Sequence, residues 1–282
     1  MIIIIGIPIW NEESYLAECV SSLYAFLEKE CQDYDIQICL VDDASTDGSQ
    51  GVYERLARKF PFSYIRTAIN RGYGATILTL FEYARDKSDI LITFDADLQH
   101  APSTIKEIIQ IMENQSDIDV VSTSRYLSYR FWDRNTPVPI DRYLTNMFLT
   151  RAINRCLNLQ VTDAFCGLKG YRTTKIPARL DDAEGYTFPL VYWNYASHAK
   201  LHIHEIPTPI IYRLDRRGRG VWKERLKEYF LKFESILPTL EKKQGVWEDY
   251  QFSVKKMTEI LDSFIPVQIV TYDDFMNSTW VK

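Results

Sequence analysis

Asp95 and Asp97 are the residues best placed to do chemistry. They stand one residue apart in the stretch ILITFDADLQH, Ile90–His100. Ile90–Phe94 is mostly apolar, β-branched or aromatic, which predicts a buried strand. Two carboxylates at the exit of such a strand are costly unless something positive sits between them. In an extended chain, residues i and i+2 point to the same side. Asp95 and Asp97 can therefore aim at one point, and a hard divalent cation with phosphate oxygens suits that point. A solvated loop leading into a helix cap is the plainer reading of the same residues.

The surrounding elements must hold this loop at the end of a sheet. Ile2–Ile9 is an unbroken apolar run of strand length, as in a central parallel strand covered on both faces. An amphipathic helix follows, with Leu16, Val20, Leu23, Tyr24 and Leu27 at helical spacing. Ile36–Val41 and Phe62–Thr67 are further strands, and Gly51–Phe60 and Ala75–Arg85 are helices. Strand and helix alternate up to the Asp95 loop, which predicts an α/β fold with a mostly parallel central sheet flanked by helices, Rossmann-like in plan. The polar turns fall at the C-terminal ends of strands, where open α/β sheets bind ligands.

Beyond the acidic loop, Ser103–Asn114 and Tyr143–Leu157 read as helices, and Val120–Thr123 and Lys200–Pro207 as strands. Leu127–Arg142 reads as irregular, with aromatic and basic residues. Pro209–Gly220 is a basic loop carrying Arg213, Arg216, Arg217 and Arg219. The expected organisation is a catalytic domain over residues 1–220 and a C-terminal helical extension and tail over 221–282.

A net charge of −5 argues against broad nucleic-acid binding. Five cysteines, odd in number and without CxxC spacing, suit reduced thiols in a cytoplasmic protein better than a disulfide framework or a zinc site. No run approaches the roughly 20 apolar residues of a membrane span, so the expectation is a soluble or peripheral protein.

Five motifs fall in order: Pro8-x-x-Asn11-Glu12, Val41-Asp42-Asp43-Ala44-Ser45-x-Asp47-Gly48, Asn70-x-Gly72-x-Gly74, Asp95-Ala96-Asp97-x-Gln99-His100 and Ser124-Arg125-Tyr126. Together they resemble the family 2 inverting glycosyltransferases with the GT-A fold, over about Ile2–Arg219. The closest likeness is to the dolichyl-phosphate or polyprenyl-phosphate mannose (or glucose) synthase branch.

The resemblance implies roles. Pro8, Trp10, Glu12, Asp42, Asp43 and Ala96 would line the pocket of a nucleotide-sugar, GDP-mannose or UDP-glucose in type. Asn70, Arg71 and Gly72 would approach the nucleotide. Asp95, Asp97 and Gln99 would hold Mg²⁺ or Mn²⁺ against the diphosphate, a Lewis-acid role. A diphosphate leaving group gathers charge as the anomeric bond breaks. Arg213, Arg217 and Arg219 would add positive charge there, since the arginine fork matches phosphate.

The implied acceptor is a polyprenyl phosphate at a membrane surface, on the cytoplasmic side. It would be received by Arg125 and Arg142. Asp163-x-x-Cys166-Gly167-x-Lys169 resembles a further motif of that branch. Asp163 would act as base or orient the acceptor, and Lys169 would contact phosphate. Cys166 reads as a small packing residue. The basic loop lacks the branch's usual pattern, which leaves open a soluble sugar, small acid or protein acceptor. A nucleotide-binding protein without turnover is the non-enzymatic alternative, and nucleotide binding with no sugar release would identify it. Oligomeric state is open.

Overall fold

The structure, a computed structural model, describes residues 1–128, 138, 140–212 and 232. The basic-loop residues Arg213, Arg217 and Arg219 and the expected C-terminal helical extension lie outside the described residues, apart from Lys232.

The strands are β1 (Ile2–Ile9), β2 (Asp35–Asp42), β3 (Ser63–Arg66), β4 (Ile90–Thr93), β5 (Val120–Ser124), β6 (Lys169–Arg172) and β7 (Ile203–Pro207). They form one seven-stranded sheet in the order β3-β2-β1-β4-β6-β5-β7. All neighbours are parallel except β6, which runs antiparallel to both β4 and β5. Helices α1 (Leu16–Glu30), α2 (Ser49–Leu56), α3 (Tyr73–Arg85), α4 (Ser103–Asn114), α5 (Ile140–Leu157) and α6 (Phe188–His198) cover the two faces.

β1 shows why its apolar run is unbroken: both faces are buried. Ile3, Ile5, Ile7 and Ile9 join a core with Leu16, Val20 and Leu23 of α1 and Ile105, Ile108 and Ile109 of α4. Ile4 joins the other core, with Leu80 and Phe81 of α3, Leu149 and Ile153 of α5 and Trp193 of α6. Each such side chain contributes roughly 1.5–3 kcal/mol on burial. Gly6 permits a close helix approach, because a Cβ there would stand 2.7 Å from Leu80 Cδ2.

Two elements do not follow from periodicity. β6 is four residues long and pairs with strands distant in sequence. α6 has its apolar residues on nearly every side, since Phe188, Leu190, Val191, Tyr192, Trp193 and Ala196 are all buried. α5 starts at Ile140, inside the stretch read as irregular, rather than at Tyr143. The last strand starts at Ile203 rather than Lys200. Lys200 has φ 53° and donates its N–H to Ser197 O, so it ends the turn after α6.

Candidate active site

The first two loops at the sheet's C-terminal edge are stitched together. Asn11 takes φ 56°, and its Oδ1 accepts the N–H groups of Thr46 (2.8 Å) and Asp47 (3.3 Å). Ser49 Oγ accepts the Glu12 N–H at 2.8 Å. Pro8 is buried in β1 beside Val41, and Glu12 is buried too. Trp10, at 42% exposure, is the member of this group that presents surface.

Asp42 and Asp43 are each 1% exposed and hold different things. Asp42 accepts from the Ser45 N–H (2.9 Å) and the Tyr53 hydroxyl (3.2 Å), and it pairs with Arg66. Both of its oxygens are engaged within the fold. Asp43 accepts from the Arg71 N–H at 3.0 Å, the Gly72 N–H at 2.6 Å and the Thr67 hydroxyl at 3.2 Å. It therefore sets the path of the Asn70–Gly72 loop. Asn70 and Arg71 are exposed, and the Arg71 guanidinium pairs with Glu184. Gly72 takes φ +92°, with Gly185 packed so closely that a Cβ would come within 2.7 Å of its Cα. Only glycine suits that combination.

The acidic loop leaves β4 with Phe94 and Ala96 buried and Asp95 and Asp97 part-exposed. Asp95 Oδ2 lies 3.0 Å from His100 Nε2, and its Oδ1 accepts the Tyr73 hydroxyl at 3.3 Å. Asp97 accepts from Gln99 through both the backbone N–H (3.1 Å) and Nε2 (2.5 Å). Leu98 takes φ 60°, which folds the loop back on itself. Burial, then the charge of Asp95, pushes the Asp97 carboxyl above its ordinary range. The donor set fits a hard divalent cation, which commonly takes one or two carboxylates and completes its shell with substrate phosphates and water. Among the described residues, no group of three or more His, Cys, Asp or Glu side chains would hold an ion.

Gly167 joins this loop to the next motif. A Cβ at Gly167 would overlap Asp95 Oδ2 and stand 2.9 Å from its Cγ. Thr93 Oγ1 donates to Gly167 O at 2.6 Å, fixing the approach from β4. At the other end of the same segment, Asp163 is fully buried. It receives Arg125 Nε at 2.6 Å and Nη2 at 3.0 Å, and Asn146 Nδ2 at 2.7 Å. Burial alone would raise the Asp163 carboxyl, but Arg125, Asn146 and Lys169 outweigh it and hold it below the ordinary carboxylate range. Arg125 Nη1 reaches Tyr212 Oη at 3.4 Å, and Tyr126 and Tyr212 join hydroxyls at 3.0 Å.

Lys169 is 5% exposed. Its amine donates to Cys166 O and lies 5.6 Å from the centre of the Trp193 ring. Burial pushes that amine below its ordinary range. Cys166 packs inside, with its thiol 3.0 Å from Thr123 Oγ1. Arg142 is exposed on α5, and no contact draws it to the Arg125 pair among the described residues.

Several supports escape a reading by motif. Glu205 of β7 accepts the N–H groups of Thr162 (2.8 Å) and Asp163 (3.3 Å), which fixes the backbone that aims Asp163. Asn146 and Tyr212 act on the same pair from α5 and from the segment after β7. Their signal lies in pairings across the fold, which spacing does not carry. Tyr73 had a weak signal, since it stands between Gly72 and Gly74.

A mostly parallel sheet with the acidic loop and the Arg125–Asp163 pair at strand ends has the GT-A glycosyltransferase fold. Residues 4–177 match the family Glycosyl transferase family 2, and the chain belongs to that family. It is 31% identical over 205 residues to an undecaprenyl-phosphate 4-deoxy-4-formamido-L-arabinose transferase of Pseudomonas fluorescens (strain Pf0-1), covering 72% of this chain and 56% of that protein. The same enzyme of P. fluorescens (strain SBW25) is 32% identical over 197 residues, covering 69% and 54%. These relatives belong to the polyprenyl-phosphate branch that the motifs resemble, and the chain spans about half of their length. Among solved structures, glucosyl-3-phosphoglycerate synthase from Mycobacterium tuberculosis with Mn²⁺, UDP-glucose and phosphoglyceric acid aligns with a TM-score of 0.62 at 15% identity, covering 84% of this chain and 80% of that one.

Proposed function

We propose that this chain moves a hexose from a nucleotide-sugar to a polyprenyl phosphate, in one inverting displacement, at the cytoplasmic face of a membrane. The observation that carries the reading is the packing of Gly167 against Asp95. It brings a pair of acids suited to a metal-bound diphosphate beside a buried Asp163–Arg125 pair suited to an anionic acceptor. The names of the relatives support a lipid-phosphate acceptor. The ligands of the solved neighbour support a nucleotide-sugar donor and a divalent ion.

In this reading Asp95 and Asp97 hold Mg²⁺ or Mn²⁺, with Gln99 fixing Asp97. The ion supplies Lewis-acid stabilisation of the departing diphosphate. Pro8, Trp10, Glu12 and the Asn70–Gly72 loop bound the nucleotide, and Asp42 and Asp43 shape those loops from within. Arg213, Arg217 and Arg219, outside the described residues, would add positive charge for the diphosphate.

Arg125 keeps the N–H groups that Asp163 does not take and offers them to the acceptor phosphate. A phosphate acceptor is already anionic, so the transfer needs no strong general base. Asp163, held below its ordinary range, orients Arg125 instead of taking a proton. Lys169 braces the loop through Cys166 O. Arg142, exposed on α5, would add a second positive charge for the acceptor phosphate.

The test supplies labelled GDP-mannose and UDP-glucose with undecaprenyl phosphate, Mn²⁺ and the full chain. Labelled lipid should form, and Asp97→Ala should abolish it while leaving the fold intact. Full activity of that variant in the presence of a chelator would overturn the metal assignment. The phosphoglyceric acid in the solved neighbour favours a second reading, transfer to a soluble phosphorylated acid. Replacing the lipid by phosphoglycerate in the same assay separates the two.

A further inference from the structure

The two acids of the loop are not held alike. Asp97 is tied by its neighbour Gln99, two residues along. Asp95 is gripped from separate elements: Tyr73 on one oxygen, His100 on the other, and the Gly167 backbone against its flank. Both oxygens of each acid are engaged, but Asp95 is also held from outside the acidic loop, by Tyr73 and Gly167, so its orientation is tied to neighbouring elements.

Tyr73 is the least expected of these partners. It opens α3, directly after Gly72. Its ring lies parallel to Tyr186, 6.4 Å between centres, and meets Phe188 edge-on at the same separation. Among the described residues its hydroxyl has one hydrogen-bond partner, Asp95 Oδ1. A buried hydroxyl without a partner is costly, so the phenol and the carboxylate fix each other.

The same short segment is held from the other side by Asp43, through the Arg71 and Gly72 N–H groups. The Asp43-built loop and the acidic loop are thus joined through one side chain. We infer that Tyr73 is a positioning residue that orients Asp95 for the divalent cation and links that site to the Asn70–Gly72 loop. The inference rests on the metal reading above and extends it to a residue outside the acidic motif.

The test is Tyr73→Phe, which keeps the ring packing and removes only the hydroxyl. Mn²⁺ binding is measured directly, by calorimetry or by loss of the free-ion electron paramagnetic resonance signal, alone and with UDP or GDP present. The expected result is a Mn²⁺ Kd about five- to tenfold weaker, the scale of one ordinary net hydrogen bond. The melting temperature should stay close to that of the wild type. The tightening of Mn²⁺ by nucleotide should also shrink, because coupling between two sites is carried by what joins them. Tyr73→Leu, which also loses the ring stack, should lower the melting temperature and separates packing from positioning. Wild-type binding in Tyr73→Phe, with and without nucleotide, would overturn the inference and leave the metal reading standing. A wild-type chain that takes up no Mn²⁺ under any of these conditions would overturn both.

Discussion

Gly167 lies against Asp95 so tightly that no side chain fits between them. The contact joins residues 72 positions apart in sequence, one on each of the two motifs that the proposed reaction needs. Gly167→Ala should therefore act on the site more than on the fold. Overpacking typically costs about 1–3 kcal/mol, and here the atom displaced is a carboxylate oxygen. The expected outcome is a soluble, folded variant whose kcat/KM falls on the order of 10²-fold, the scale of a small misplacement of reacting groups. Steady-state transfer alongside circular dichroism checks it.

Asp163→Asn leaves the Arg125 guanidinium without its counter-ion. Breaking one partner of such a buried pair costs about 3 kcal/mol or more, so the urea midpoint should drop sharply. Because the folded carboxyl lies below its unfolded value, its stabilisation is present above the ordinary Asp pKa of about 3.9. It is lost as pH falls through the folded value. The wild-type advantage over Asp163→Asn should be flat from neutral pH to mildly acidic pH and vanish in strong acid. Melting curves across that range test the sign.

Asp97 has the opposite sign. Its folded carboxyl is raised, so its contribution is present below the ordinary Asp value and lost as pH rises through the raised one. In metal-free buffer at neutral pH, its charge burdens the fold. Asp97→Asn should melt at a higher temperature than wild type at pH 7, and the gap should close as the buffer is acidified. Transfer should fall by about 10²–10³-fold, as when a charge-stabilising group is removed.

Lys169→Met separates bracing from phosphate binding. The buried amine is depressed, so its contribution is present above the ordinary Lys pKa of about 10.4 and lost as pH falls through the folded value. At neutral pH the variant should lose little stability, with wild type gaining on it as pH rises towards 10. Transfer should fall by less than about tenfold, the scale of one neutral hydrogen bond. A loss as large as that of Asp97→Asn would return Lys169 to the phosphate.

The sheet was legible in sequence where burial leaves a pattern. The run from Ile2 to Ile9 announces a strand with two covered faces, and Ile105, Ile108, Ile109 and Met112 announce the inner face of α4. The acidic loop could be picked out because paired carboxylates are costly at the exit of a buried strand, and Arg125 through the family resemblance. β6 could not, since Lys169–Arg172 has no alternation and its partners are remote. The inward turn of Lys169 was equally hidden, because a one-residue difference in register sends a strand side chain to the other face. Tyr73 gripping Asp95, and Glu205 fixing the Thr162–Asp163 backbone, depend on distances between elements that no local pattern records.

The reversed strand β6 sits between β4 and β5 and is bonded to both. One neighbour leads to Asp95 and Asp97 and the other to Arg125, so a single rung array serves as a ruler between the proposed donor and acceptor sides. Residues past Ser124 can be rewritten to suit another acceptor while that ruler keeps its length, because the spacing is set by main-chain ladders and not by the side chains that touch the acceptor.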